Sequence, residues 1–327
     1  MTMDLRLAVY ELAAQHQLDA SAMQRLQQCA GLHREPAGLS VWLLRGVAIL
    51  AAALGGFGII LWVAANWETF GRFGRFALLQ GFFVVMCLGA LWLPAARSPL
   101  CLLAWLAIGG LFAYFGQTYQ TGADPWQLFA LWAVLSAPLC WSARSDVLWT
   151  PWALVAMTAI SLWVHAHAGY RWRVEGADLP VHVIGWSAAV LLALMLSPLL
   201  RRWTGAGLWA LRMTLVLLIF LITTTAFLGL FETLVAPHYW LALLVLSGVA
   251  VVLSVPQFYE LFGLSAVGLS LNILIVAGLA RVMLKGQQSD LTNVLSILGF
   301  TAAGLLAVTV HMILRLSHRR QREGASA

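Results

Sequence analysis

The stretch Met213–Phe231, MTLVLLIFLITTTAFLGLF, runs for 19 residues without an Asp, Glu, Lys or Arg. A helix rises about 1.5 Å per residue, so a stretch of this length approaches the roughly 30 Å hydrocarbon thickness of a bilayer. Nine further stretches share this character: 46–67, 76–96, 98–123, 125–143, 147–170, 179–200, 233–259, 261–280 and 291–314. The ten run from 19 to 27 residues, and no other charge-free gap exceeds 9. Backbone N–H and C=O groups find no water in lipid, so each stretch is expected to satisfy its own as a helix. The alternating ten-residue pattern of a membrane barrel is absent. The expected fold is all-α: a polytopic bundle of about ten transmembrane helices, with a short cytoplasmic N-terminal helical hairpin.

Composition agrees. Of the 327 residues 61% are hydrophobic and 10% charged, against about 25% charged in a soluble domain. In water such a chain would expose large apolar patches and aggregate. The lipid bilayer is therefore its expected partner.

Lysine and arginine set the expected orientation. Ten spans put both termini on one side, which receives Arg6, Arg25, Arg34, Arg45, Arg97, Arg144, Arg201, Arg202, Arg212, Arg315, Arg319, Arg320 and Arg322. The other side receives Arg72, Arg75, Arg171, Arg173, Arg281 and Lys285. Thirteen against six places both termini in the cytoplasm. The net charge of +6 is then mostly juxtamembrane arginine facing anionic headgroups, and no nucleic-acid partner is expected. About 45 mostly polar residues come before the first span, so no cleavable signal peptide is expected there. Cys29, Cys87, Cys101 and Cys140 are scattered over spans and cytoplasmic ends and read as packing residues, not as a disulfide framework.

Three segments follow: a cytoplasmic hairpin over 1–44, a membrane domain over 45–316 and a basic, irregular cytoplasmic tail over 317–327. In the hairpin Leu5, Val9 and Leu12 share one helical face. Ser21 with Gln24 fits a capping box for a second helix, with Met23, Leu26 and Ala30 on its apolar side and Gly31 at its stop. Two short helices bury little area alone, so they are expected to pack on the membrane domain or on a protein partner. Tryptophans near span ends, Trp62, Trp67, Trp126, Trp141, Trp149, Trp203 and Trp240, read as an interfacial belt.

Two polar clusters interrupt the apolar sequence. One is Ala64-Ala65-Asn66-Trp67-Glu68, at the external end of the first span. The other is Gly116-Gln117-Thr118-Tyr119-Gln120-Thr121-Gly122-Ala123-Asp124-Pro125-Trp126, between the third and fourth. Topology puts both on the non-cytoplasmic side. Polar groups at membrane depth are costly and tend to be functional, so Asn66, Gln117, Tyr119, Gln120 and Asp124 are the candidate ligand-binding residues. Against this stands a structural use. Asn66 then ends a helix, the glutamines satisfy a buried turn, and Asp124 caps the fourth span ahead of Pro125.

The AANW element, the following RFALL (Arg75 to Leu79), the GQTYQTGAD segment and FALW (Phe129 to Trp132) together resemble a bacterial family of predicted multi-pass membrane proteins of unknown function. The resemblance covers roughly residues 1–145. It implies an inner-membrane protein with a cytoplasmic N-terminal segment and brings no activity, substrate or catalytic residue with it.

The remaining polar residues point to less. His165 and His167 lie near one span end and His182 and His238 begin later spans, but i, i+2 histidines face apart and no ligand spacing completes a metal site. Glu232 and Glu260 fall at opposite membrane sides and cannot act as a pair. Gln80, Asn272 and Thr223-Thr224-Thr225 read as hydrogen-bonding glue between spans. There is no phosphate-binding loop, nucleophile elbow or HExxH, and no cofactor is indicated. Two functions stay open: ligand or ion binding and transport through the external polar site, or a structural, assembly or sensory role through the cytoplasmic segment. A membrane enzyme lacks a nucleophile, metal or carboxylate constellation.

Overall fold

The computed structural model describes residues 2–30, 39–66, 69–119, 122, 124–169, 173–285 and 291–325. The chain divides into two compact units, residues 1–51 and 52–327. Among the described residues there is no strand.

The first unit begins with α1 (Thr2–Gln15) and α2 (Ala20–Cys29). Asp19, not Ser21, caps α2: its carboxylate accepts the Ala22 N–H at 2.7 Å and the Ser21 hydroxyl at 3.1 Å. A charged acceptor just ahead of the helix outcompetes the hydroxyl for the free N–H groups. Met23, Leu26 and Ala30 are half-buried, as their spacing predicts. Val9 is buried while Leu12 is 49% exposed, so the expected apolar face of α1 is narrower than its spacing implies. Gly31 lies outside the described residues.

Among the described residues ten helices are long and apolar enough to cross a membrane, and the chain is a multi-pass membrane protein. They are α3 (Leu39–Ala65), α4 (Arg72–Trp92), α5 (Arg97–Tyr119), α6 (Pro125–Ala143), α7 (Asp146–His167), α8 (Leu179–Met195), α10 (Leu208–Leu230), α11 (Pro237–Ser254), α12 (Leu261–Lys285) and α13 (Leu291–Ala325). A single-turn helix, α9 (Arg201–Thr204), precedes α10. In α13 the helix continues through the basic tail that the sequence predicts to be irregular. Extending a formed helix carries no nucleation cost, and Arg, Gln and Glu are good helix formers.

Burial divides the spans. In α7 and α10 half of the most apolar window is buried, and in α13 none of it. Helix α10 is the hub, packing against α7, α8, α11 and α12 around Leu218, Ile222, Leu246, Val267 and Leu274. The outer spans show lipid a dense apolar surface, for example Leu91, Val134, Leu191, Val251 and Phe300. Helix α13 is held to α12 by a reciprocal hydrogen bond: Asn272 Nδ2 donates to Thr309 Oγ1 at 3.1 Å, and the hydroxyl donates back to Asn272 Oδ1 at 3.2 Å. That is the interhelical use expected of Asn272. Thr224 and Thr225 instead donate to Phe220 and Leu221 of their own helix, because a threonine hydroxyl reaches the i−4 carbonyl more easily than a neighbouring helix.

The spans meet at two ends. The far end carries the connections after α3, α5, α7, α10 and α12; the near end carries those after α4, α6, α8 and α11. A polar knot at the near end ties α7 to α10. Asp146, at the start of α7, accepts hydrogen bonds from the N–H groups of Gly207, Trp209 and Ala210 at 2.9, 2.8 and 3.1 Å. Beside it the Trp149 indole donates to the Thr204 carbonyl at 2.8 Å, and Trp149 is fully buried. The belt reading therefore fails for Trp149. Trp62, Trp141, Trp203 and Trp240 are exposed at 46–63%, as a belt requires; Trp67 lies outside the described residues. Gly205 sits at φ +70°, and a Cβ there would come within 2.5 Å of the Arg144 Cβ, so both conformation and space call for glycine.

Candidate functional site

The two polar clusters follow α3 and α5, both at the far end. Asn66 follows α3 and bonds locally: its amide donates to the Trp62 carbonyl at 3.0 Å, and its own carbonyl accepts from the Thr69 hydroxyl at 2.8 Å. Gln117 is exposed and Tyr119 is 44% exposed. Asp124 is half-buried at the N-cap position of α6 with Pro125 as the first helical residue. Its carboxylate makes no bond to the helix terminus, so Pro125 starts the helix and the carboxylate has another use. Gln120 lies outside the described residues. Among the described residues, no hydrogen bond joins Asn66 to Gln117 or Tyr119.

Tyr119 instead joins an aromatic and arginine rim on α4 and α5. The Arg72 guanidinium lies 5.8 Å from the centre of its ring, a cation–π distance. Phe115 and Phe76 flank the same ring at 4.8 and 6.2 Å. Below them Tyr114 is buried, packs at a tilt against Phe76 at 4.5 Å and donates to the Arg72 carbonyl at 3.2 Å. This fixes the first turn of α4 against the last of α5. Arg75, one turn on, is 9% exposed. A guanidinium so far from water is held there by its surroundings at a desolvation cost.

The other face of this turn meets α6. A Cβ on Gly116 would come within 3.2 Å of Leu128, so the glycine sets the approach of α5 to α6. The Thr118 hydroxyl and the Trp126 indole nitrogen are shielded from solvent and have no hydrogen-bond partner among the described residues. Buried donors without acceptors are uncommon. Trp126 also lies 6.1 Å from His167, which stacks on Trp163 at 4.4 Å and bonds to its carbonyl at 2.9 Å. Under the rim a groove of about 510 Å³ opens between the helices, lined by Phe76, Gln80, Phe83, Phe112, Phe115 and Leu131 among others.

Sequence reasoning singled out Tyr119 and passed over Thr118 and Trp126. Nothing in the sequence tells which hydroxyl of a polar run will be walled in. It also missed a second far-end cluster. His182 and His238, 56 positions apart, lie 4.7 Å apart edge to face, and both are buried. His182 donates from Nδ1 to the Asp178 carbonyl at 3.0 Å. Among the described residues no three His, Cys, Asp or Glu side chains group as metal ligands. Nearby, Arg281 is buried and donates to the Glu232 and Thr233 carbonyls, closing the C-terminal end of α10. Glu232 faces Arg173 at 3.6 Å, while Glu260 at the near end pairs with Arg212, so the two carboxylates serve separate ion pairs.

Residues 10–149 match the model of a family described as "Predicted membrane protein (DUF2157)", a family of unknown function. The match takes in both polar clusters, in agreement with the resemblance carried by the AANW and GQTYQTGAD elements. Comparison with curated proteins and with solved structures returns no match.

Proposed function

We propose that this chain is a bacterial inner-membrane protein, with both termini and the segment 1–44 in the cytoplasm, that binds a small carboxylate- or phosphate-bearing molecule at its external end. The site takes in Asn66, Gln117, Tyr119, Gln120 and Asp124 from the two polar clusters, with Arg72, Thr118 and Trp126 beside them. One observation carries the reading. The last turn of α5 and the first turn of α6 hold two shielded donors without acceptors among the described residues, Thr118 and Trp126, and on the other face of the α5 turn a guanidinium is braced on Tyr119. Donors of this kind are satisfied by an acceptor-rich ligand. The groove beneath is lined mainly by apolar side chains, which supports a rim site over a polar path through the bilayer.

Titration of the full chain in nanodiscs with succinate and with inorganic phosphate tests this. Saturable binding of at least one is expected. Arg72→Gln and Thr118→Val are each expected to weaken it about tenfold, the equivalent of about 1.4 kcal/mol, without shifting the melting temperature of the unliganded protein. Loss of melting temperature with unchanged binding contradicts the site.

A second reading, partner binding through the cytoplasmic segment, is favoured by the exposure of Tyr10 and Leu12 at 59% and 49% on a separately compact unit. Failure of both probes to bind leaves this reading in place.

A further inference from the structure

An apolar pocket lies away from the rim, among α8, α10 and α11, and reaches the near end at the turns 198–200 and 256–258. It holds about 300 Å³. Its α11 wall runs from Val245 to Leu253, just over two turns or about 12 Å of helix, so it is a slot and not a round cavity. Three features mark it as a built site. Ser197 lines its near end, is 4% exposed, and its hydroxyl has no hydrogen-bond partner among the described residues. Gly248 lines its wall, and a Cβ there would meet no atom within 4 Å. Immediately after the 198–200 turn come Arg201 and Arg202, both exposed, the second lying over the Trp203 ring at 5.2 Å. The carboxylate beside the other turn, Glu260, is neutralised by Arg212 at 2.9 Å, so the charge left beside the two turns is positive.

We propose that this slot binds the acyl chain of an anionic glycerophospholipid, with the ester carbonyl accepting from the Ser197 hydroxyl and the phosphate facing Arg201 and Arg202. The order of features along the site matches that of the lipid: an apolar slot two turns long, one buried donor at its end, then two cations at the interface. Basic residues beside a groove between spans are suited to anionic headgroups, each contributing on the order of 1 kcal/mol near the surface. The proposal is independent of the rim site and rests on other residues.

The test uses the purified full chain in a neutral detergent with three probes: dioleoylphosphatidylglycerol, dioleoylphosphatidylcholine and inorganic phosphate. Phosphatidylglycerol is expected to raise the melting temperature saturably and to remain bound in native mass spectrometry. Phosphatidylcholine is expected to bind at least tenfold more weakly, and phosphate to do nothing. Gly248→Leu fills the slot from an open position and should abolish the phosphatidylglycerol effect while leaving the lipid-free melting temperature unchanged. Arg201→Gln with Arg202→Gln changes only exposed side chains and should erase the preference for phosphatidylglycerol over phosphatidylcholine. The proposal is overturned by equal binding of both lipids to the wild-type chain, by a phosphate effect equal to that of the lipid, or by a preference that survives the double arginine substitution. Should Gly248→Leu itself lower the melting temperature, the arginine result decides.

Discussion

Replacing Asp146 with alanine is expected to lower the stability of the membrane domain by about 2–4 kcal/mol. The carboxylate accepts three N–H groups at the start of α10, and hydrogen bonds to charged groups contribute roughly 1.5–3 kcal/mol each. The sum is discounted because Asp146 is half-exposed and water can reach part of the site. Its negative charge also lies at the positive end of the α10 dipole. Asp146→Asn keeps an acceptor of the same shape and loses the charge, so it should recover about half of the stability. Thermal unfolding followed with a thiol-reactive fluorophore measures both, since Cys101 and Cys140 are free and buried in the folded chain. Equal melting temperatures for wild type and Asp146→Ala would show that the knot does not hold α7 to α10.

The second large effect is expected at Arg212. Its guanidinium meets Glu260 through Nε and a terminal nitrogen, both at 2.9 Å, and packs over Trp209 and Phe262. Glu260 is 6% exposed and also accepts the Gly263 N–H at the start of α12. Arg212→Met leaves that carboxylate buried and unpaired, which costs about 3–5 kcal/mol. Adding Glu260→Leu removes the stranded charge, and the double variant should be more stable than Arg212→Met alone. It should still fall short of wild type because the bond to Gly263 is gone. Losses that simply add would show that the two side chains are not coupled.

The ten spans were legible because lipid imposes a length and a composition on each one separately. A charge-free run such as Met213–Phe231 is enough by itself to mark a crossing, and α10 follows it within a few residues. What joins the spans was not legible. Asp146 reaches partners more than 60 positions away, and before the fold is known it reads as one more polar loop residue. Trp149 illustrates the same limit. Position near a span end suggested an interfacial role, while the chain uses its indole to lock Thr204 in the core. Arg281, read only as a charge at the external side, also closes the end of α10. At the rim the sequence drew attention to the last turn of α5, since amides and a carboxylate are conspicuous among apolar residues. It could not rank Thr118 above Gln117, because the difference is burial, which depends on where α6 arrives.

The proposed site requires ten crossings that place Arg72, Tyr119 and Trp126 outside the cell and the N-terminal segment within it. Labelling of right-side-out spheroplasts with a membrane-impermeant maleimide tests this directly, with two reporters. Cys29 is native, free and exposed, and Thr69, exposed beside Asn66, accepts a Thr69→Cys substitution. Labelling at position 69 in intact spheroplasts, with Cys29 reacting only after permeabilisation, is the predicted result. Labelling of Cys29 in intact spheroplasts, or of position 69 only after permeabilisation, contradicts this topology and with it the external site.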